Sequence, residues 1–222
     1  MHALNYSLNM GKIQHLLITH SHMDHFFPVE LIHRHEHFGH NAEGMLHVYG
    51  NEAVEKALYD AILIERFKVH PLDDAVKFIK LEPFTDFIAD GYHITPIPAD
   101  HDKRESCFIY AIEKDGKWIL YGHDTGLNLS EEAKKWIFNH KFDLISLDAT
   151  MGKNHSECYH MGLPDAVTFA ALLEEKGCIH SDSIKVINHF SHNGNMSHKD
   201  LEEFAQKNGM IAAYDGMEIS LS

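Results

Sequence analysis

The stretch His15-Leu16-Leu17-Ile18-Thr19-His20-Ser21-His22-Met23-Asp24-His25 joins a short apolar run to a crowd of imidazoles and a carboxylate. The first five residues predict a short buried strand ending at Thr19. His20 follows directly, so the H-x-H-x-D-H run leaves that strand as a strand-to-helix loop. The helix is expected from Pro28, with Val29, Leu31 and Ile32 as its apolar side and proline in its first turn. At the strand edge His20 and His22 can aim at one point, while Asp24 and His25 converge from the turn on a second. Two such points side by side are what a two-metal site requires.

Outward from this loop, apolar β-rich runs alternate with helical patterns over the whole chain. Residues 51–67 carry apolar side chains at helical spacing, with Asn51 as the cap. Strands are expected at Val76–Leu81, Tyr92–Pro96, Ser106–Glu113 and Lys117–Leu120, with Asp115-Gly116 as a hairpin turn between the last two. A helix opens at Ser130, a strand follows at Leu144–Leu147, and a helix over Leu163–Lys176 ends at Gly177. The remaining expectations are a strand at Ile184–Asn188, a helix at Lys199–Lys207 and a final strand at Met217–Leu221. No repeat, linker or low-complexity tract interrupts the 222 residues. One α/β domain spanning 1–222 is therefore expected.

A single loop cannot fill two metal sites, so further ligands should stand at other strand ends, where open α/β sheets gather them. His101 follows Pro98-Ala99-Asp100, Asp124 lies in Gly122-His123-Asp124-Thr125-Gly126, and His189 follows Val186-Ile187-Asn188. Each sits just past an apolar β run. Carboxylates such as Asp100 or Asp148 are candidates to orient the ligand imidazoles.

Composition narrows the function. Apolar residues make up 44% and charged residues 23% of the chain, which fits a globular protein. Nineteen Lys and Arg against thirty-three Asp and Glu leave a formal charge of −14, a field that repels nucleic acid and anionic membranes. No apolar run approaches the ~20 residues of a membrane span. The opening Met1–Lys12 lacks the pattern of a secretory leader, so a cytoplasmic location is expected. Cys107, Cys158 and Cys178 are an odd number without C-x-x-C spacing, which suits reduced thiols. Histidine is the outlier, at 21 residues.

Taken in order, His20-Ser21-His22-Met23-Asp24-His25, His101, Asp124 in Gly-His-Asp-Thr-Gly, and His189 in Asn188-His189-Phe190-Ser191-His192 resemble the metal motifs of the metallo-β-lactamase superfamily. The resemblance covers about residues 13–222. It implies a four-layer αββα sandwich with a dinuclear site at one edge. It also implies that His20, His22 and His101 hold one metal, that Asp24, His25 and His189 hold the other, and that Asp124 bridges them. A donor set of oxygen and nitrogen without a cysteine ligand accommodates Zn²⁺ or Mn²⁺.

The segment from Asp148-Ala149-Thr150 through Tyr159-His160-Met161-Gly162 resembles the phosphodiesterase branch of that superfamily. That branch includes the cyclic-phosphate phosphodiesterases of phosphonate breakdown and, more distantly, the tRNA 3′-processing nucleases. The resemblance implies that His160 acts on the phosphoryl group or the leaving oxygen and that Asp148 orients it. In one respect the chain departs from the pattern. Only nineteen residues precede His20, so the expectation is either that the chain begins at an internal methionine or that the first half-sheet is shortened or supplied by another subunit. A missing half-sheet exposes an edge and apolar surface, which favours a homo-oligomer.

The expected function is a dinuclear metal-dependent phosphodiesterase acting on a small, cyclic or linear phosphate ester. One alternative is RNA 3′-end processing, which the absence of a Lys/Arg cluster and the net charge oppose. Another is a metal-binding assembly protein without turnover; β-lactam or thioester hydrolysis stands behind both. His33, His35, His37 and His40 lack the H-E-x-x-H spacing and are expected at a solvated helix end or a lid. His192 is surplus to a site already holding seven ligands, and Phe26-Phe27 is expected in the core.

Overall fold

The computed structural model describes residues 5–34, 42–64, 75–156 and 158–221. The chain forms two compact units: unit 1 comprises Met1–Glu82 with Arg104–Ser106, and unit 2 comprises Pro83–Lys103 with Cys107–Ser222.

Unit 1 is built on a parallel three-stranded sheet in the order β1 (His15–Leu17), β2 (Leu46–Gly50), β3 (Val76–Lys80). Register pairs Leu16 with Val48 and Val48 with Phe78, so alternate residues of the three strands share one face. That face meets the apolar side of helix α2 (Glu52–Ile64), where Val54, Leu58 and Ile62 recur at a spacing of four and pack with Ile18, Leu46, Val48 and Val76. Asn51 caps this helix as its sequence suggests: its side-chain oxygen accepts from the Val54 N–H at 2.9 Å. Glu52 and Glu55 complement the positive end of the helix dipole. A short helix α1 (Val29–Ile32) follows Pro28. Phe26 joins the core, but Phe27 is exposed, so only half of that pair behaves as expected. Residues 65–67 of the expected long helix, and His35, His37 and His40, lie outside the described residues.

Unit 2 carries a seven-stranded sheet. Its strands are β4 (Phe87–Ala89), β5 (Tyr92–Pro98), β6 (Phe108–Lys114), β7 (Lys117–Gly122), β8 (Leu144–Asp148), β9 (Ile184–Asn188) and β10 (Ile211–Ala212), in the order β10-β9-β8-β7-β6-β5-β4. β4 to β7 are antiparallel neighbours, and β7 to β10 are parallel. The β6–β7 turn is the expected hairpin, with Asp115 and Gly116 both at positive φ as a tight primed turn requires. Helices α3 (Glu131–Phe138), α4 (Leu163–Glu175) and α5 (His198–Lys207) bury Ala133 and Ile137, Phe169 and Leu173, and Leu201 and Ala205 in one core with Ile97, Leu120, Ile145 and Ile187. Ser130 and Ser197 cap α3 and α5.

The mixed α/β class is as expected, and three strands make a short N-terminal sheet. The final strand is not where its alternation placed it. Ile211 and Ala212 take the edge beside β9, opposite Val186 and Ile187, and 217–221 have no strand to pair with among the described residues. Alternation without a neighbour does not make a strand. β2 and β4 carried no expectation at all.

The topology decides where chemistry can gather in unit 2. Gly122 pairs with Leu147, and Asp148 with Asn188, so β7, β8 and β9 finish side by side. β5 runs in the same direction as β7, because each is antiparallel to β6, and it ends at the same edge. His101, Asp124, Asp148 and His189 all leave the sheet there.

Candidate metal centre

In unit 1 the loop after β1 gathers three imidazoles. His20 Nε2 lies 2.9 Å from His22 Nδ1, and the rings of His20 and His25 are 4.3 Å apart. His20 is wholly buried, and its Nδ1 meets Thr19 Oγ1 at 2.9 Å. The second half of the loop is a turn closed by its own backbone, with the His25 and Phe26 N–H groups both donating to the His22 carbonyl. Asp24 stands apart from the cluster: its carboxylate is 81% exposed, 3.7 Å from His25 Nε2.

In unit 2 the centre of the arrangement is Asp124, buried and held at φ 55°. His189 also sits in the left-handed region, at φ 59°. A non-glycine residue there costs of order 1–3 kcal/mol, and such strain collects where a side chain must be aimed. Asp124 Oδ2 faces His101 Nε2 and His189 Nε2, each at 3.8 Å. Its other oxygen, Oδ1, lies 2.9 Å from His160 Nδ1, whose proton is directed at Asp148 Oδ2, 3.3 Å away. Ligand atoms of Asp124, Asp148, His160 and His189 all lie within 4.8 Å of one another.

The tautomers of two of these imidazoles follow from their partners. His101 Nδ1 lies 2.9 Å from the Tyr159 carbonyl, which can only accept, so Nδ1 carries the proton and Nε2 keeps its lone pair toward Asp124. Thr150 Oγ1 donates to the His189 carbonyl at 2.9 Å, which leaves its lone pairs to accept from His189 Nδ1 at 2.6 Å. His189 Nε2 is thereby the nitrogen left to face Asp124. Fixing the far nitrogen so that the near one can ligate is the usual outer-shell arrangement of a metal-binding histidine.

Electrostatics favour charge separation here. Burial pushes Asp148 up, but hydrogen bonds from His160, His189 and the Thr150 N–H outweigh it and hold its carboxyl down at about 2. Burial pulls His160 down, but hydrogen bonds to Asp124 and Asp148 carry its imidazole up to about 9. His189 is raised for the same reasons, its bond to Asp148 overcoming burial. Two buried carboxylates beside imidazoles make a nitrogen-and-oxygen donor set, and no cysteine joins these groups among the described residues. That set fits a divalent metal cation.

The loops are packed tightly enough to fix this arrangement. A Cβ on Gly126 would meet Asp100 Oδ2 at 2.6 Å and the Tyr159 nitrogen at 2.9 Å, so only glycine lets these loops approach. Asp100 is buried, and its side chain holds backbone rather than imidazole: Oδ2 accepts from the Asn128 N–H at 3.0 Å, and Oδ1 pairs with Lys103. Asp165 anchors the loop that carries His160, accepting from the Ser156 and Gly162 N–H groups. His123 is buried against Ser146 at 2.6 Å and has a packing role, while His192 is exposed in a short 3₁₀ turn. His33 is exposed at the end of α1. Sequence reasoning gave no role to Thr150, Asp165 or the Tyr159 carbonyl. The one available signal was a threonine two residues past a strand-end aspartate.

A sequence profile described as a beta-lactamase superfamily domain matches residues 4–182. Among solved structures, the chain is similar to a diphosphatase of the PhnP family, with 18% identity, 99% of this chain and 75% of that chain covered, and a TM-score of 0.72. It is similar to the short form of human tRNase Z, with 18% identity, 99% and 83% coverage, and a TM-score of 0.68. It is also similar to zinc-bound PqqB from Methylobacterium extorquens, with 16% identity, 94% and 73% coverage, and a TM-score of 0.66. No curated protein matches the chain by sequence.

Proposed function

This chain belongs to the metallo-β-lactamase superfamily, and from that premise we propose that it is a metal-dependent hydrolase whose substrate is a small, cyclic or linear phosphate ester. The observation that carries the reading is the geometry at Asp124: one carboxylate oxygen facing Nε2 of both His101 and His189, with His160 Nδ1 against its other oxygen. The ligand set we propose follows the order of the motifs along the chain. His20, His22 and His101 hold one cation, Asp24, His25 and His189 hold a second, and Asp124 is shared, with zinc or manganese as the metal.

Bound divalent cations supply Lewis acidity, lowering the pKa of a water and drawing charge from phosphoryl oxygens. The chain's own residues do the rest. Asp124 and Asp148 keep the His160 Nδ1 proton in place, so the proton that can move is the one on Nε2. Nε2–H of His160 is the donor to a departing alkoxide; the imidazole left behind is neutral and still fastened through Nδ1. A phosphate ester leaves as a poor alkoxide, which is the chemistry that a poised acid accelerates. Thioester cleavage, which releases a thiolate, has less need of one.

A small substrate is favoured over RNA because the formal charge of −14 works against a polyanion held along an extended surface. No helix among the described residues is long and apolar enough to cross a membrane. We place the activity in the cytoplasm, where cysteines that form no disulfide persist as thiols. The test is hydrolysis of bis-p-nitrophenyl phosphate, a set of cyclic phosphates and a structured RNA by zinc- or manganese-loaded protein. Turnover of the small esters well above that of RNA is expected. RNA cleavage alone would favour the nuclease reading, and a fully metallated, folded protein with no turnover would favour an assembly role.

A further inference from the structure

His20 and His22 are two apart on a loop that belongs to neither helix nor strand, so what aims them must come from elsewhere. Residues i and i+2 of an extended segment share a side, and the His20 and His22 rings are indeed 4.4 Å apart. Ser21 points the other way. Both of its polar handles end on one side chain: the Ser21 N–H donates to Glu105 Oε2 at 3.0 Å, and the Ser21 hydroxyl donates to Glu105 Oε1 at 2.7 Å. Glu105 is 84 residues away in sequence and packs with unit 1 as part of Arg104–Ser106.

Glu105 is itself anchored. Its Oε2 accepts a third bond, from Asn51 Nδ2 at 2.8 Å. Asn51 is buried, also donates to the Ser106 carbonyl at 2.7 Å, and caps α2 through Val54. A rigid helix end therefore holds an amide, the amide holds a carboxylate, and the carboxylate holds the one residue between two imidazoles. Hydrogen bonds to an ionised acceptor are roughly twice as strong as neutral ones, so a carboxylate suits this post better than an amide.

We propose that Glu105 is the positioning residue of the His20-Ser21-His22 turn, setting the aim of both imidazoles by gripping Ser21 from behind. Fixing the backbone at Ser21 fixes the direction of the Cβ atoms on either side. Without the grip, the turn samples conformations in which one ring or the other faces away. The assignment rests on the metal-centre reading above and adds to it a determinant of metal affinity outside the proposed ligand set.

The test uses the full chain, stripped of metal and titrated with zinc and with manganese by calorimetry. A second readout is hydrogen exchange at the Ser21 amide in the metal-free protein. Glu105→Ala is expected to weaken metal binding 10–100-fold, as loss of an outer-shell partner typically does, and to speed exchange at Ser21. Glu105→Gln, which keeps one acceptor oxygen, should recover part of the affinity. Ser21→Ala leaves Glu105 and Asn51 in place and removes only the hydroxyl, for a loss of roughly three- to tenfold; it carries the test if Glu105→Ala does not fold. Wild type that binds metal, with variants that bind it equally tightly, overturns the inference alone. Wild type that takes up neither metal overturns the hydrolase reading and this inference with it.

Discussion

In unit 2 the side chains that converge on Asp124 hang from two strand ends and the loop before α4, and they are held by separate partners: His101 by a carbonyl, His189 by a hydroxyl, His160 by two carboxylates. In unit 1 three imidazoles hang from one six-residue loop, His20 in contact with both His22 and His25, and the backbone between His20 and His22 is gripped by one carboxylate. The first arrangement is written into sheet register, where β7, β8 and β9 end side by side and cannot slip without moving the core. The second depends on a turn and its post. Unit 2 should therefore keep its geometry without metal, while the unit 1 loop needs Glu105 or a bound cation to settle.

That contrast can be broken at several points. The largest effect is expected at His160. His160→Ala removes the proton donor without touching a strand end, so turnover of a small phosphate ester should fall by about 10²–10⁴ while metal content stays at the wild-type level. Unchanged turnover in the steady-state assay would remove His160 from the mechanism. The charge state can be followed separately by NMR in the metal-free protein. There His160 should remain protonated up to about 9, and Asp148→Asn should lower that value, because one of the two carboxylates holding Nδ1 is gone.

A middle-sized effect is expected at Thr150. Thr150→Val keeps the shape and removes the hydroxyl that fixes the His189 tautomer, so affinity for metal should drop by roughly 10–100-fold in a competition titration, with little change in thermal stability. Equal affinity would mean that His189 finds its tautomer without help.

The smallest effect lies at the opposite end of the same sheet. Asp143 accepts from the Trp118 N–H at 2.9 Å and from Lys117 Nζ at 3.2 Å, tying β7 to the start of β8. Burial pushes its carboxyl up, but those bonds bring it below its ordinary value. A depressed carboxylate stabilises the fold above its unfolded pKa, and that contribution is lost as pH falls through the folded value. Asp143→Asn should therefore cost about 1 kcal/mol near neutral pH in denaturant melts. The gap from wild type should close as the pH drops below the ordinary aspartate value of about 3.9. Catalysis should be untouched, which separates this end of the sheet from the other.

What the sequence disclosed follows the same division. The strand ends bearing His101, Asp124 and His189 were legible because each apolar β run stops just before a ligand-type residue, and register then does the gathering. The His20–His25 loop was legible because its spacing is local. The supports were not. Ser21 and Glu105 are 84 residues apart, His189 and Thr150 are 39 apart, and the acceptor for His101 is a backbone carbonyl that no letter encodes. The misplaced final strand at 217–221 and the unforeseen β2 share one cause, since pairing partners rather than local alternation decide which extended segment joins a sheet.

Loading the protein with zinc, removing the excess and combining elemental analysis with X-ray absorption at the zinc edge bears most directly on the whole account. Two equivalents of zinc per chain in a shell of nitrogen and oxygen only, falling below one equivalent in Asp124→Ala, is the predicted result. Less than one equivalent in wild type, or sulfur in the coordination shell, would contradict it.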